Sequence, residues 1–231
     1  MLALFATFAV FDQRWTEAML WLFAALVVDG VDGSLARAAR VKELAGRVDG
    51  DALDLVIDYL NYVFVPSLFM IQAGLLPPAF ALLLAALIQL SSLYVFARRD
   101  MKTADNYFRG FPALWNIVAL YIFAAGVGPA AAAIIVLVLV ALTFAPVHVV
   151  HPFRVRDFGW WLPALSLLWA LSTLALLFQI PDEMRQPLFI ASSASAIVLV
   201  GMGLLRTVHG DLRLRQSPQR PQDGNGAAGE D

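Results

Sequence analysis

The chain has 231 residues, 60% of them hydrophobic and 15% charged, with a mean hydropathy of +0.73. A soluble domain carries about a quarter charged residues, so this composition excludes an ordinary protein of the aqueous phase. There are no cysteines, which excludes a disulfide framework and a thiolate metal site, and at a net charge of -2 it is the placement of charge that informs.

Apolar runs near the ~20 residues that cross a hydrocarbon core recur along the chain. They predict eight segments, at about 1–11, 16–36, 51–74, 78–97, 111–127, 129–150, 159–180 and 186–208. The expected fold is all-α, a polytopic membrane bundle of about eight transmembrane segments. The first, "MLALFATFAVF", is about half a span long; it reads either as a short helix lying in or dipping into the membrane or, preferred here, as truncated, with the start upstream of Met1. Turn chemistry in "GLLPP" (74–78), "GVGP" (126–129) and "QIPDEMRQP" (179–187) separates several of the others. The expected organisation is one membrane-embedded domain over 1–210. A polar tail over 211–231, rich in Gly, Pro and Gln, is expected to be disordered.

Basic residues orient the bundle. Arg37, Arg40, Lys42 and Arg47 follow the second segment, and Arg98, Arg99, Lys102 and Arg109 the fourth. Arg154 and Arg156 follow the sixth, and Arg206, Arg213, Arg215 and Arg220 the eighth. The alternate loops hold only Arg14 and Arg185. This bias places the first set, and with an even number of spans both termini, on the cytoplasmic side.

Between the second and third segments lie carboxylates at membrane depth, where they are costly unless compensated. Asp29 and Asp32 end one helix, and Asp54 and Asp58 begin the next. Spacings of three and four put each pair on one helical face, and antiparallel neighbours would bring the pairs together. Four convergent carboxylates call for a cation, and all-oxygen ligation points to a hard divalent ion such as Mg²⁺ or Mn²⁺. Gly33 and Gly50 strip bulk from the face beside it, and Arg37 can reach an anionic ligand over that gap. Together these suit a nucleotide diphosphate. Asp49 and Asp51 match no such pattern and read as solvated loop residues.

The run Asp29-x2-Asp32-Gly33-x2-Ala36-Arg37-x12-Gly50-x3-Asp54-x3-Asp58 resembles the signature of the CDP-alcohol phosphatidyltransferase family. The twelve residues between Arg37 and Gly50 exceed the interval in most members and are similar to the bacterial phosphatidylcholine synthase branch. "KTADNYFRGFPALWN" (102–116) and "HPFRVR" (151–156) share that resemblance. It implies transfer of the phosphatidyl group from CDP-diacylglycerol to choline with release of CMP. It further implies that Asp29, Asp32 and Asp54 hold two divalent ions, Mn²⁺ or Mg²⁺. Asp58 would take the proton from choline's hydroxyl and also touch a metal. Gly33, Ala36, Arg37 and Gly50 would line the CMP pocket. A homodimer in the bacterial inner membrane, with its active site at the cytoplasmic face, is implied too.

A quaternary ammonium has no N–H to donate, so aromatic faces are its natural receptor. Tyr62, one turn after Asp58, and Trp115 are the candidates, balanced against interfacial anchoring. Tyr107 reads as an interfacial anchor. Arg109, Arg154 and Arg156 serve either topology alone or the lipid phosphate. His148 and His151 read as hydrogen-bonded structural residues. Expected partners are membrane lipids and the two substrates, with no nucleic acid. Two other readings stand beside this one: a relative acting on another alcohol such as serine, and an ion- or proton-coupled transporter lined by the aspartates.

Overall fold

The computed structural model of the chain describes residues 1–38, 49–151, 155–178 and 181–210, with the side chains of 32–38, 51 and 182 outside that description. The expected tail over 211–231 also lies outside the described residues. The fold is mostly helical, and each of the eight apolar segments contains a helix. In order they are α1 (Leu2–Phe11), α2 (Trp15–Ala38), α3 (Gly50–Tyr59), α4 (Val65–Gln72), α5 (Ala81–Ala97), α6 (Trp115–Ala124), α7 (Pro129–Thr143), α8 (Trp161–Leu177) and α9 (Asp182–His209). A π-helical turn over Leu60–Phe64 joins α3 to α4, so the third segment runs as one widened helix.

Among the described residues, two helices are long and apolar enough to cross a membrane, Ala52–Gln72 and Glu183–His209. Five further apolar helices have 10–17 residues. At about 1.5 Å per residue the longest of these rises about 25 Å, short of a ~30 Å hydrocarbon core. Large apolar side chains nevertheless cover the outside of both sets: Leu82, Leu90, Ile134, Ile197 and Val208 all point away from the protein. Such a surface is solvated by lipid. The protein is built for a membrane.

α1 packs on α2 and α4, and α2 also meets α6 and α8. α5 bridges α4 and α7, and α9 lies along α8. Aromatic edges fill the centre: Phe69 meets Trp15 at 5.6 Å and Phe123 at 5.5 Å, both edge-on. A polar chain ties α6, α8 and α9 together. Trp169 Nε1 donates to the Tyr121 hydroxyl at 2.9 Å, which meets Ser192 Oγ at 2.6 Å, which in turn meets Thr173 Oγ1 at 2.7 Å. Polar links of this kind hold helices together where apolar side chains gain nothing over lipid.

The fifth and sixth segments give less helix than expected. α6 keeps 10 residues, and α7 stops at Thr143. Pro146 opposes continuation of α7, because the residue before a proline avoids helical geometry. The freed backbone instead forms a small antiparallel ribbon, β1 (Phe108–Arg109) against β2 (His148–Val149), with Phe108 opposite Val149 and Arg109 opposite His148. Gly110, at φ +81°, follows β1 against the Thr143 carbonyl, and Gly203 of α9 abuts the His148 carbonyl. A β-carbon at either position would collide with backbone, so the ribbon lies directly on α9.

Candidate active site

The site begins with a helix start. Asp49 Oδ1 accepts the Ala52 N–H at 3.1 Å, capping α3 and placing negative charge at its positive end. Asp49, expected to be a solvated loop residue, is exposed and also caps. An added β-carbon on Gly50 would meet no atom within 4 Å, so the space beside this first turn is open.

Asp54 and Asp58 follow on one face of α3, and α2 packs against the π turn beyond them. One carboxylate oxygen from each of Asp29, Asp54 and Asp58 lies within 4.8 Å of the other two. Asp29 and Asp58 are half-buried and Asp54 is exposed. Three negative charges this close repel, and their oxygens form a donor set suited to a hard divalent cation. Asp32, Gly33, Ala36 and Arg37 occupy the last turns of α2; the side chains of this stretch lie outside the described residues.

Tyr62 is brought to the same place by the π turn. Pro66 has no N–H to give, and in a regular helix its ring would press on the carbonyl four residues back, that of Tyr62. Widening the turn relieves that contact. The Val65 N–H reaches the Leu60 carbonyl, five residues back, and Asn61 Nδ2 donates to the Ile57 carbonyl at 2.9 Å. Tyr62 ends 5% exposed, its hydroxyl buried. That hydroxyl has no close acceptor among the described residues; Asp29 lies within looser hydrogen-bonding reach of it, and the charges of Asp29, Asp58 and Asp54 act on it. A buried hydroxyl facing three carboxylates fits a site that holds a further group.

The other expected contributors are dispersed. Trp115 has no exposed face: it is fully buried, donates to Ser92 Oγ at 2.9 Å and packs edge-on against Phe111 at 4.9 Å. Arg109 Nη1 lies 3.2 Å from Asp100 Oδ2 and remains about half exposed. Arg98 grips the same carboxylate at 2.8 Å and pulls the Asp100 carboxyl down to about 2. This cluster shares the carboxylate end of the bundle, since Tyr59, next to Asp58, packs edge-on against Phe96 at 6.0 Å, just before Arg98. Arg156 is exposed, and Arg154 lies outside the described residues.

Tyr107, expected as an interfacial anchor, is fully buried and donates to Asp157 Oδ2 at 2.9 Å. Burial, then Asp157, raise its hydroxyl above the ordinary range. Beside it Arg206 Nε pairs with Asp105 Oδ2 at 2.6 Å. Burial alone would raise the Asp105 carboxyl, but the Arg206 and Thr103 hydrogen bonds outweigh it and hold the group below its ordinary value. The His148 N–H and ring both meet Thr207 Oγ1, at 2.7 and 3.3 Å, a structural role as expected. The Asp105–Arg206 pairing was not foreseen, because no local spacing signals a contact between residues 101 apart.

No family model matches the chain. It is 44% identical over 206 residues to the phosphatidylcholine synthase of Pseudomonas aeruginosa, covering 89% of this chain and 86% of that one. It is 42% identical over 173 residues to the phosphatidylcholine synthase of Bradyrhizobium diazoefficiens, covering 75% and 65%. It is 35% identical over 188 residues to that of Legionella bozemanae, covering 78% and 87%. The chain belongs to the phosphatidylcholine synthase family.

Proposed function

We infer that the chain carries the activity of its family: it is an enzyme that transfers the phosphatidyl group of CDP-diacylglycerol to choline and releases CMP. The observation that carries the mechanism is the convergence of Asp29, Asp54 and Asp58, with the Tyr62 hydroxyl facing them.

Choline's hydroxyl is a poor nucleophile at neutral pH, and a carboxylate must take its proton. Asp58 is that base. The choline oxygen forms a bond to the phosphatidyl phosphorus, the bond from that phosphorus to the CMP oxygen breaks, and the proton ends on Asp58. Asp29, Asp32 and Asp54, with Asp58 at the edge, would hold two divalent ions, Mn²⁺ or Mg²⁺. When bound, these supply the positive charge that stabilises the phosphoryl oxygens and the departing CMP. Gly33, Ala36 and Gly50 leave room for the nucleotide, and Arg37 binds its diphosphate. Arg109, Arg154 and Arg156 are proposed to hold the lipid phosphate at the headgroup level.

The proposed setting is the bacterial inner membrane, crossed by eight segments. Both termini and the site would face the cytoplasm, and the protein would be a homodimer among membrane lipids. The motif from Asp29 to Asp58 supports membership of the wider CDP-alcohol phosphatidyltransferase family, and 1–210 would form its membrane domain, with 211–231 a disordered tail.

The test is CMP release by purified protein in detergent with CDP-diacylglycerol and Mn²⁺, comparing choline, serine, inositol, glycerol 3-phosphate and no alcohol. Release dependent on choline is the expected result. Release with serine alone would overturn the acceptor and keep the mechanism, and silence with every alcohol would reopen the transporter reading.

A further inference from the structure

Tyr62 stands out as a buried group without a conventional role. Its ring is packed in the core cluster, its buried hydroxyl has no close hydrogen-bond partner among the described residues, and Asp29, within looser hydrogen-bonding reach, acts on it together with the charges of Asp58 and Asp54. A buried hydroxyl without a close partner is unfavourable unless one arrives. The backbone is also unusual here. Tyr62 sits at the middle of the π turn over Leu60–Phe64, a feature that re-aims side chains and concentrates at functional sites.

We propose that Tyr62 is a positioning residue, whose hydroxyl donates to a carboxylate oxygen of the Asp29–Asp58 pair and fixes which oxygen of that carboxylate faces the bound cation. The inference rests on the cation-binding reading given above. The chemistry selects the direction of the bond. Facing anionic oxygens, a neutral phenol donates, and the two oxygens of a carboxylate can be divided between a hydroxyl donor and a metal. Groups that orient ligands in this way typically change metal affinity by 10–100-fold when removed. The role differs from that of an aromatic receptor for choline, which needs an open ring face; the Tyr62 ring is 5% exposed.

The experiment uses the full chain in detergent without substrates. Mn²⁺ binding is followed by the loss of the free-ion electron paramagnetic resonance signal, for the unaltered protein, Tyr62→Phe and Asp54→Asn. Thermal unfolding in EDTA and the choline KM are measured alongside. Tyr62→Phe keeps the ring and removes only the buried hydroxyl. It is expected to weaken Mn²⁺ binding by about tenfold or more, with metal-free melting equal or raised and the choline KM unchanged. Binding by Tyr62→Phe equal to the unaltered protein, with Asp54→Asn impaired, overturns the positioning role and leaves the cation site standing. A raised choline KM with unchanged Mn²⁺ binding assigns the hydroxyl to the acceptor instead and also overturns it. A lowered metal-free melting point in Tyr62→Phe overturns it in favour of a packing role. Equal binding by the unaltered protein and Asp54→Asn removes the cation reading itself, and the inference with it.

Discussion

Asp105 and Arg206, 101 residues apart in the chain, meet at 2.6 Å in an ion pair whose side chains are 5% and 12% exposed. Arg206 also lies 5.7 Å from the centre of the Tyr107 ring, whose hydroxyl holds Asp157. One pair thus fastens the loop after α5 to the end of α9, and the ribbon carrying Arg109 and His148 is held between them.

Breaking this pair by removing one partner leaves a buried charge without its counterion, a loss of about 3–5 kcal/mol. Arg206→Met and Asp105→Asn are therefore expected to lower the melting temperature in detergent markedly. Melting at the unaltered temperature in both would show that the pair does not hold the loop.

The same pair predicts a pH dependence. The folded Asp105 carboxyl lies below its ordinary value, so its contribution is present above the unfolded pKa, about 3.9, and is lost as pH falls through the lower folded value. The stability gap between the unaltered protein and Asp105→Asn is expected to be constant near neutrality and to close as the medium is acidified below about pH 4. Urea unfolding at a series of pH values measures it; a gap that persists in acid would contradict the assignment.

Asp58→Asn removes the proposed base and keeps the shape of the side chain. Choline-dependent CMP release is expected to fall by about 10²-fold or more. Asp54→Asn should instead shift the Mn²⁺ concentration needed for half-maximal rate upward. Identical kinetic signatures from the two variants would dissolve the division of roles between them.

Chelation with EDTA should abolish CMP release, and added Mn²⁺ or Mg²⁺ should restore it, because the carboxylate oxygens suit hard ions. Release that survives exhaustive chelation would sink the cation reading.

Pro66→Ala returns an N–H that can bond the Tyr62 carbonyl and allows a regular helix. Tyr62 then turns away from the carboxylates. Displacements of about 1 Å at an active site can cost on the order of 10²-fold in rate. The expected result is impaired CMP release with no loss of thermal stability. Full activity in this variant would show that the π turn has no part in aiming Tyr62.

Much of the candidate site was legible because its signal is local. Asp54 and Asp58 lie four residues apart, so one helix alone decides that they share a face, and α3 is helical where the pattern placed it. The placement of Asp29 beside them followed from a single antiparallel step between adjacent segments. Trp115 and Tyr107 were harder. Trp115 starts a helix and Tyr107 lies in the loop before it; aromatic residues in such places serve as anchors, receptors or core fillers, and only packing separates these. Trp115 is sealed by Ser92 and Phe111, and Tyr107 by Asp157. The ribbon was invisible because each of its strands has two residues, too few for any periodicity.

By itself, the sequence determined that the chain is helical and built for a membrane, and that carboxylates of the second and third segments cluster. Apolar runs, helical spacing and charge placement act within a few turns of chain, so they can be read without knowing the fold. Tertiary structure alone decided that Arg206 would find Asp105, that Trp115 would be sealed, and that the Tyr62 hydroxyl, on a widened turn, would be buried near the aspartates. Those outcomes depend on which surfaces meet across many residues, where close packing admits one side chain and excludes another.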